Sequence, residues 1–351
     1  MTKKKKILVF RLSAMGDVAM TVPVIKTLVE QNPDMEIIMV SKEFFKPFFQ
    51  NIPSITFYGV NLDKHKGIGG LYKLFTELKK TQPDIVVDLH DVIRTKILRF
   101  FFKLAGHKVY IIDKGRKEKK ALIRKKNKVF KSLPTTFERY AKTFEKAGIK
   151  MDLSQTQAST KPDLSAQVRL FLENFENKKL IGIAPFAAHT GKQYPLEKIK
   201  QIIKELLKRN QDIAIILLGG GAKEKKLLDT LEKIDRNRVV NIAGVFSLEE
   251  ELQIISRLHK MLSMDSGNGH LAAMFGIPVF TIWGATHPYA GFAPFGQLPE
   301  QQFIPDLKKF PQLPTSIYGN KTFDNFEQVW ETIPSDKIVD KLLENFIRKD
   351  N

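Results

Sequence analysis

The sequence contains no cysteine. Disulfides, thiolate metal sites and cysteine nucleophiles are therefore excluded, while the redox compartment stays open. Long apolar runs are missing from the N-terminus as well. The basic start, Met1–Lys6, leads into Ile7–Phe10, which stops at Arg11. A signal peptide needs about 7–15 apolar residues and a membrane span about 20, so neither is read here and the cytoplasm is the expected location. The dinucleotide fingerprint G-x-G-x-x-G is absent, as is a phosphate loop ending in Gly-Lys-Ser/Thr. No D-x-D pair is placed to bridge a metal to a diphosphate, and no metal site is expected.

Acidic residues are also in deficit: 38 Asp and Glu face 57 Lys and Arg, a formal net charge of +19. Such a field attracts nucleic acid, anionic membrane or a phosphorylated substrate. The segment Lys114–Lys128 (KGRKEKKALIRKKNK) concentrates nine basic residues against one acidic residue. Zinc-finger spacing and the aromatic sheet motif of RNA-binding modules are both missing around it, so an anionic lipid surface or acceptor is expected rather than nucleic acid.

What is present is an alternation. In 351 residues of 43% hydrophobic content there is room for two domains. Strands are expected at Lys6–Phe10, Glu36–Val40, Asp84–Leu89 and Lys108–Ile112, with helices at Val18–Gln31 and Leu71–Lys80. A polar stretch, Ser154–Asp163, follows, and the pattern restarts. The second set of expected strands is Leu180–Ala184, Ile213–Leu218, Val239–Ile242, Lys260–Met264 and Val279–Trp283, with helices at Leu196–Lys208 and Ser247–Ser256. Apolar runs separated by helices predict α/β architecture: two doubly wound, Rossmann-like parallel-sheet domains. The boundaries expected are 1–160 and 161–351, with a C-terminal helix that packs back. Ligands of such sheets bind beyond the carboxyl ends of the strands.

Five strand ends carry candidate residues. Phe10–Asp17 leaves the first strand; Ser13 and Gly16 line the turn, and Asp17 falls in the first helical turn, where the helix dipole favours a carboxylate. Asp17 is either a plain helix cap or, where it faces a ligand, a general base. Pro185–Pro195 (PFAAHTGKQYP) offers small residues, including Ala188, for close backbone approach, and Lys192 as a point charge for phosphate. In Gly219–Glu224, Gly220 frees the turn and Glu224 can hold ribose hydroxyls. Met264–His270 (MDSGNGH) ends a strand and opens a helix near Gly269 or His270, an anion site built from unpaired N–H groups, with Asp265, Ser266, Gly267 and His270 around it. Trp283–Pro288 (WGATHP) places Gly284 and Thr286 after the last strand.

Taken together, Arg11-x-Ser13-x-x-Gly16-Asp17-Val18, Lys192-x-Tyr194-Pro195, Asp265-Ser266-Gly267-x-x-His270-Leu271-Ala272-Ala273 and Gly284-x-Thr286-x-Pro288 resemble the motifs of glycosyltransferase family 9, the lipopolysaccharide heptosyltransferases. Order and spacing match over roughly residues 6–295. The resemblance implies the GT-B fold, two Rossmann-like domains facing across a cleft, with the acceptor held by the first and the nucleotide sugar by the second. It implies inverting transfer from an ADP-heptose-like donor with Asp17 as base, and with Lys192 and the amides around Ser266 and Gly267 on the departing diphosphate. Asp265 would position that loop, Glu224 reach the ribose and Phe246 pack on the base. Acceptor contacts are expected from Ser13, Gly16, Arg94, Lys96 and Arg139.

In this scheme no cofactor is needed, because the nucleotide sugar is a substrate. Partners are that donor, an anionic lipid-linked acceptor and the cytoplasmic face of the inner membrane, met through Lys114–Lys128. Where hydroxyl side chains often stand in the family, this chain has Ala187 and Ala188, so contacts there fall to backbone N–H groups. Two alternatives remain beside it: a nucleotide-sugar epimerase of the same fold, and a non-catalytic nucleotide- or nucleic-acid-binding protein.

Overall fold

A computed structural model describes residues 4–344 and Phe346. The chain divides into two compact units, Met1–Gly115 with Pro134–Thr160, and Arg116–Leu133 with Lys161–Asn351.

The first unit holds β1 (Lys5–Phe10), α1 (Met15–Ala19), α2 (Thr21–Gln31), β2 (Met35–Lys42), β3 (Ile55–Val60), α3 (Gly67–Lys79), β4 (Ile85–Asp88), α4 (Ile93–Leu104) and β5 (Lys108–Ile111). After the excursion that carries α5 (Arg116–Leu122), α6 (Thr136–Lys146) completes the unit. Its parallel sheet runs β3-β2-β1-β4-β5. β1 is central and apolar on both faces, pairing with β2 from Lys5↔Met35 and with β4 from Ile7↔Ile85. One core gathers Leu8, Phe10, Leu71, Leu74, Leu98 and Phe102 beneath α3 and α4. The expected helix Val18–Gln31 is broken into α1 and α2 at Met20. α6 starts at Thr135, whose hydroxyl accepts from the Glu138 N–H while Glu138 answers at the Thr135 N–H, a complete capping box.

The second unit holds α7 (Ala166–Glu173), β6 (Lys179–Ala184), α8 (Leu196–Arg209), β7 (Ile213–Leu217), α9 (Gly221–Glu232), β8 (Val239–Asn241), α10 (Leu248–Ile255), β9 (Lys260–Met264), α11 (Gly267–Met274), β10 (Val279–Ile282), β11 (Gln302–Phe303) and α12 (Ser335–Leu343). The sheet order is β11-β10-β9-β6-β7-β8, again parallel throughout. In both sheets the order of strand addition reverses beside the first strand. The switch point lies between β1 and β4 in one and between β6 and β9 in the other, where ligands of open α/β sheets bind. α12 packs on α8 within its own unit, through Ile338, Val339 and Leu342.

The basic segment lies within residues 1–160, yet from Arg116 to Leu133 it groups with the second unit. The reason is packing. Leu122 and Leu133 are buried with Ala290 and Ile317, and the Leu133 N–H donates to the Tyr289 carbonyl. Lys128 Nζ donates to the carbonyls of Gln312, Leu313 and Pro314 at 2.6, 2.8 and 3.3 Å.

Candidate functional site

At the switch point of the first unit, the loop after β1 meets the loop after β4. Arg11 is buried at the end of β1; its Nη1 donates to the Leu89 carbonyl at 2.8 Å and its Nη2 pairs with Asp17 Oδ2 at 2.5 Å. The Ala14 N–H reaches the same oxygen at 3.4 Å. Both contacts fall on Oδ2, so Asp17 is held at the head of α1 through one carboxylate oxygen. Beneath them Tyr140 of α6 donates to the Asp17 carbonyl at 3.2 Å, and the Arg11 guanidinium lies 6.0 Å from the Tyr140 ring centroid. Burial pushes the Tyr140 phenol up, which keeps it a neutral donor.

The β4 loop is organised by Asp88. This fully buried carboxylate accepts from the His90 and Asp91 N–H groups, each at 2.9 Å, and pairs with Arg99 of α4 at 3.0 Å. His90 turns back to β1, where its Nδ1 accepts from the Leu12 N–H at 3.4 Å. Burial, with the nearby charges of Arg11 and Lys114, pushes His90 down to about 3. It is thus a neutral imidazole with Nε2 carrying the proton.

The proposed acceptor residues separate. Ser13 and Gly16 lie in the half-buried turn beside Asp17. Arg94 is close enough to His90 to lower its pKa. Lys96, two residues along α4, points about 160° away on an exposed face. Arg139 is buried: its Nε donates to the Pro134 carbonyl at 3.2 Å and its Nη1 to the Asp113 carbonyl at 3.3 Å, with Gly115 against the guanidinium.

At the switch point of the second unit, Lys192 after β6 meets Asp265 after β9, Nζ to Oδ2 at 3.0 Å, with both side chains mostly buried. Gly319, at φ +83°, lies against the Lys192 stem; a Cβ there would come within 2.3 Å of Lys192 Cγ. The loop carrying Gly319 is closed by Ser316, whose hydroxyl accepts the N–H groups of Tyr318, Gly319 and Asn320. It is anchored by the Thr315 and Ser316 N–H groups on the Ala285 carbonyl. Gly191 is equally confined, with its carbonyl accepting from the Ala285 N–H at 2.7 Å.

α11 begins at Gly267, two residues earlier than the first of the expected starts, so Gly267, Asn268 and Gly269 present the N–H groups of its first turn. Ser266 occupies the cap position without capping: its hydroxyl is buried and unpartnered. The Thr286 hydroxyl after the neighbouring β10 is likewise buried and unpartnered. Two orphan hydroxyls, a lysine and a helix N-terminus at adjacent strand ends suit an oxygen-rich anion. His270 is buried in α11.

The remaining predicted residues line the same side of the sheet less directly. Ala188 is exposed. Glu224 of α9 is engaged by the Gly220 N–H at 2.8 Å, which closes that loop. Phe246 is half-buried, with its ring centroid 5.2 Å from Phe171 of α7 at a tilt of 64°. Among the described residues no three His, Asp or Glu side chains gather as a metal site would require.

Sequence reasoning assigns no role to Arg11, Asp88, Thr286 or the Gly319 loop, and takes His90 and Tyr140 only as members of the segments His90–Lys96 and Arg139–Tyr140, where the resemblance puts acceptor contacts. Arg11 and Thr286 do stand within the motifs. A strand ending Asp-Leu-His-Asp is the available signal for the β4 loop; nothing points to Gly319.

Residues 71–304 match the model of glycosyltransferase family 9 (heptosyltransferase). The chain belongs to glycosyltransferase family 9. It is a glycosyltransferase, and epimerase chemistry on the same fold is set aside. Lipopolysaccharide heptosyltransferase 1 of Campylobacter coli is 26% identical, over 97% of this chain and 99% of that protein. Among solved structures, Escherichia coli ADP-heptose LPS heptosyltransferase II superposes with a TM-score of 0.67 at 17% identity, covering 99% of this chain and 100% of that one. An E. coli heptosyltransferase with ADP-2-deoxy-2-fluoro heptose gives 0.65 at 18%, covering 97% and 99%. These likenesses place the family 9 chain in the GT-B fold class.

Proposed function

We propose that this family 9 enzyme transfers heptose, with inversion, from ADP-heptose to a hydroxyl of an anionic, lipid-linked acceptor of the lipopolysaccharide core. The observation that carries the donor half is the Lys192–Asp265 pair at the head of α11, flanked by the orphan hydroxyls of Ser266 and Thr286. The sugar and the nucleotide are suggested by the relatives, which are named for heptosyl transfer and, in two E. coli structures, for an ADP-linked heptose.

In this reading the acceptor hydroxyl gives its proton to Asp17 Oδ1 as its oxygen attacks the anomeric carbon. The bond from that carbon to the diphosphate breaks on the opposite face, and both electrons leave with ADP. Negative charge grows on the departing oxygens, where Lys192, the N–H groups of Gly267 and Asn268 and the Ser266 hydroxyl stabilise it. Asp265 holds Lys192 in place before the diphosphate arrives. Phe246 offers one face to the base, and Glu224 one carboxylate oxygen to the ribose. His90, neutral, and Arg94 supply a donor and a charge for the acceptor beside Asp17. No resident cofactor or metal is required.

The test is ADP release from ADP-heptose in the presence of a lipid A-type acceptor, run beside other nucleotide sugars. Release from another donor alone would overturn the substrate. Asp17→Asn is expected to lower kcat on the order of 10²–10⁴-fold with little change in donor KM; full turnover by that variant removes Asp17 as the base.

The basic segment supports a peripheral contact with anionic membrane: Lys117, Lys120, Arg124, Lys125 and Lys126 are exposed. Reversing Lys120, Lys125 and Lys126 should weaken binding to anionic vesicles, and unchanged binding would return the segment to a solvated loop.

A further inference from the structure

α4 presents apolar side chains to solvent where a surface helix normally presents polar ones. Ile93 is 76% exposed, Phe100 56% and Leu104 72%. With the partly buried Ile97 they stand at i, i+4, i+7 and i+11, one continuous stripe along the whole helix. The opposite face, through Thr95, Leu98 and Phe102, is fully buried against the sheet, so the stripe is not the core face turned outward. Beside it, α3 adds Ile68 at 69% and Tyr72 at 53%, and the Tyr72 ring meets Phe101 of α4 edge-on at 5.3 Å. Two packed helices thus share one exposed apolar ridge within the first unit.

The charges on α4 itself have one sign. α4 contains Arg94, Lys96, Arg99 and Lys103 and no acidic residue. Arg99 is consumed by Asp88 and Asp91, while Lys96 and Lys103 flank the stripe on the exposed face. Lys73 and Lys79 of α3 are exposed as well. A protein partner of ordinary composition would meet these lysines with no guarantee of counter-charge; a surface of lipid headgroups supplies anionic groups everywhere and hydrocarbon just beneath them. An apolar stripe with lysines beside it and no carboxylate on its own helix is the pattern of a helix that lies in the membrane interface.

We propose that the α3–α4 ridge docks on an anionic lipid bilayer, with Phe100, Leu104 and Ile93 entering the headgroup boundary and Lys96, Lys103 and Lys73 meeting the phosphates. The surface is distinct from the Arg116–Leu133 segment: the ridge buries hydrocarbon, whereas that segment offers mainly charge. Its biological sense rests on the lipid-linked acceptor proposed above, but lipid binding is read without any transfer reaction.

The experiment uses the full chain with phosphatidylcholine vesicles, with and without phosphatidylglycerol. Phe100→Trp serves as the probe, because both native tryptophans, Trp283 and Trp330, are buried in the second unit. The emission of the introduced indole is expected to shift to the blue with the anionic vesicles. Phe100→Ser with Leu104→Ser should weaken partitioning by about tenfold or more, since the apolar area entering the boundary is removed. Transfer to a soluble, lipid-free acceptor should be unchanged in that variant, because neither residue is part of the transfer site. An unshifted emission from the Phe100→Trp protein, or an equal shift on uncharged vesicles, overturns the proposal. So does concentration-dependent self-association that the double serine variant abolishes, which would make the ridge an interface between copies. Loss of binding on reversing Lys120, Lys125 and Lys126, with no shift from the Phe100→Trp probe, would likewise assign the membrane contact to that segment. Circular dichroism of the serine variant separates these outcomes from misfolding.

Discussion

At the scale of single residues, each proposed catalytic charge is held by a partner. Arg11 grips Asp17 by Oδ2 and spends another nitrogen on the Leu89 carbonyl, so it joins the β1 loop to the β4 loop. Removing it frees the carboxylate to rotate. Arg11→Ala should therefore lower kcat by about tenfold or more while donor KM changes little, as expected for an orienting contact. Added guanidinium ion should restore part of the rate in the alanine variant. A loss that appears in donor KM, or no rescue in a variant that folds normally, would show that Arg11 only supports the fold. The Arg-x-Ser-x-x-Gly-Asp spacing announces this loop in the sequence, but the grip itself is hidden there. It depends on Arg11 being buried directly after the last residue of a strand, which directs a long side chain across the turn.

At the scale of elements, strand ends and helix starts do the positioning. Lys192 is confined between Asp265 and Gly319, and the latter belongs to a loop from near the end of the chain. A side chain at Gly319 is strained twice, by φ +83° and by the Lys192 stem. Gly319→Ala should raise donor KM and lower kcat together, with a stability cost of about 1 kcal/mol. Unaltered kinetics would show that the lysine is placed by Asp265 alone. Strands of the sheet cores are plain in the sequence because apolar runs bounded by turns can do little else. β3 (ITFYGV) is not, since it is an edge strand only half-buried, and α4 is obscured by its second apolar face. The start of α11 is misplaced in the sequence reading because Gly267 and Gly269 read as loop, although Gly269 is there to bring the helix close to Ser263 of β9.

At the scale of the whole molecule, buried neutral histidines couple stability to pH. Burial pushes His90 down to about 3 in the first unit and His287 to about 4 in the second, against an unfolded value near 6.5. A depressed histidine binds fewer protons folded than unfolded, so its contribution is complete above about pH 6.5 and is lost as pH falls towards the folded value. Each unit should lose on the order of 1–3 kcal/mol between about pH 6.5 and 4. In urea titrations across that range, His287→Asn should flatten the loss for the second unit. Asparagine can still accept the Tyr289 N–H that His287 Nδ1 accepts at 3.1 Å, while it no longer titrates. An equally steep loss in the variant would assign the acid sensitivity to other groups.

By itself the sequence determined the class of sheet and the motif loops of the family. These follow from local facts: apolar runs of strand length, helical spacing between them, and glycines where chains leave strands. What tertiary structure alone decided is which loops meet. Strand orders β3-β2-β1-β4-β5 and β11-β10-β9-β6-β7-β8 set the β1 loop beside the β4 loop and the β6 loop beside the β9 loop. No local pattern encodes strand order, which is settled by packing across a whole sheet. The same holds for the basic segment, which a linear reading assigns to the first domain and which Leu122, Lys128 and Leu133 bind to the second. The absence of cysteine and the shortage of acidic residues narrowed the chemistry of the chain; the burial of a few leucines and one lysine decided where its basic segment sits.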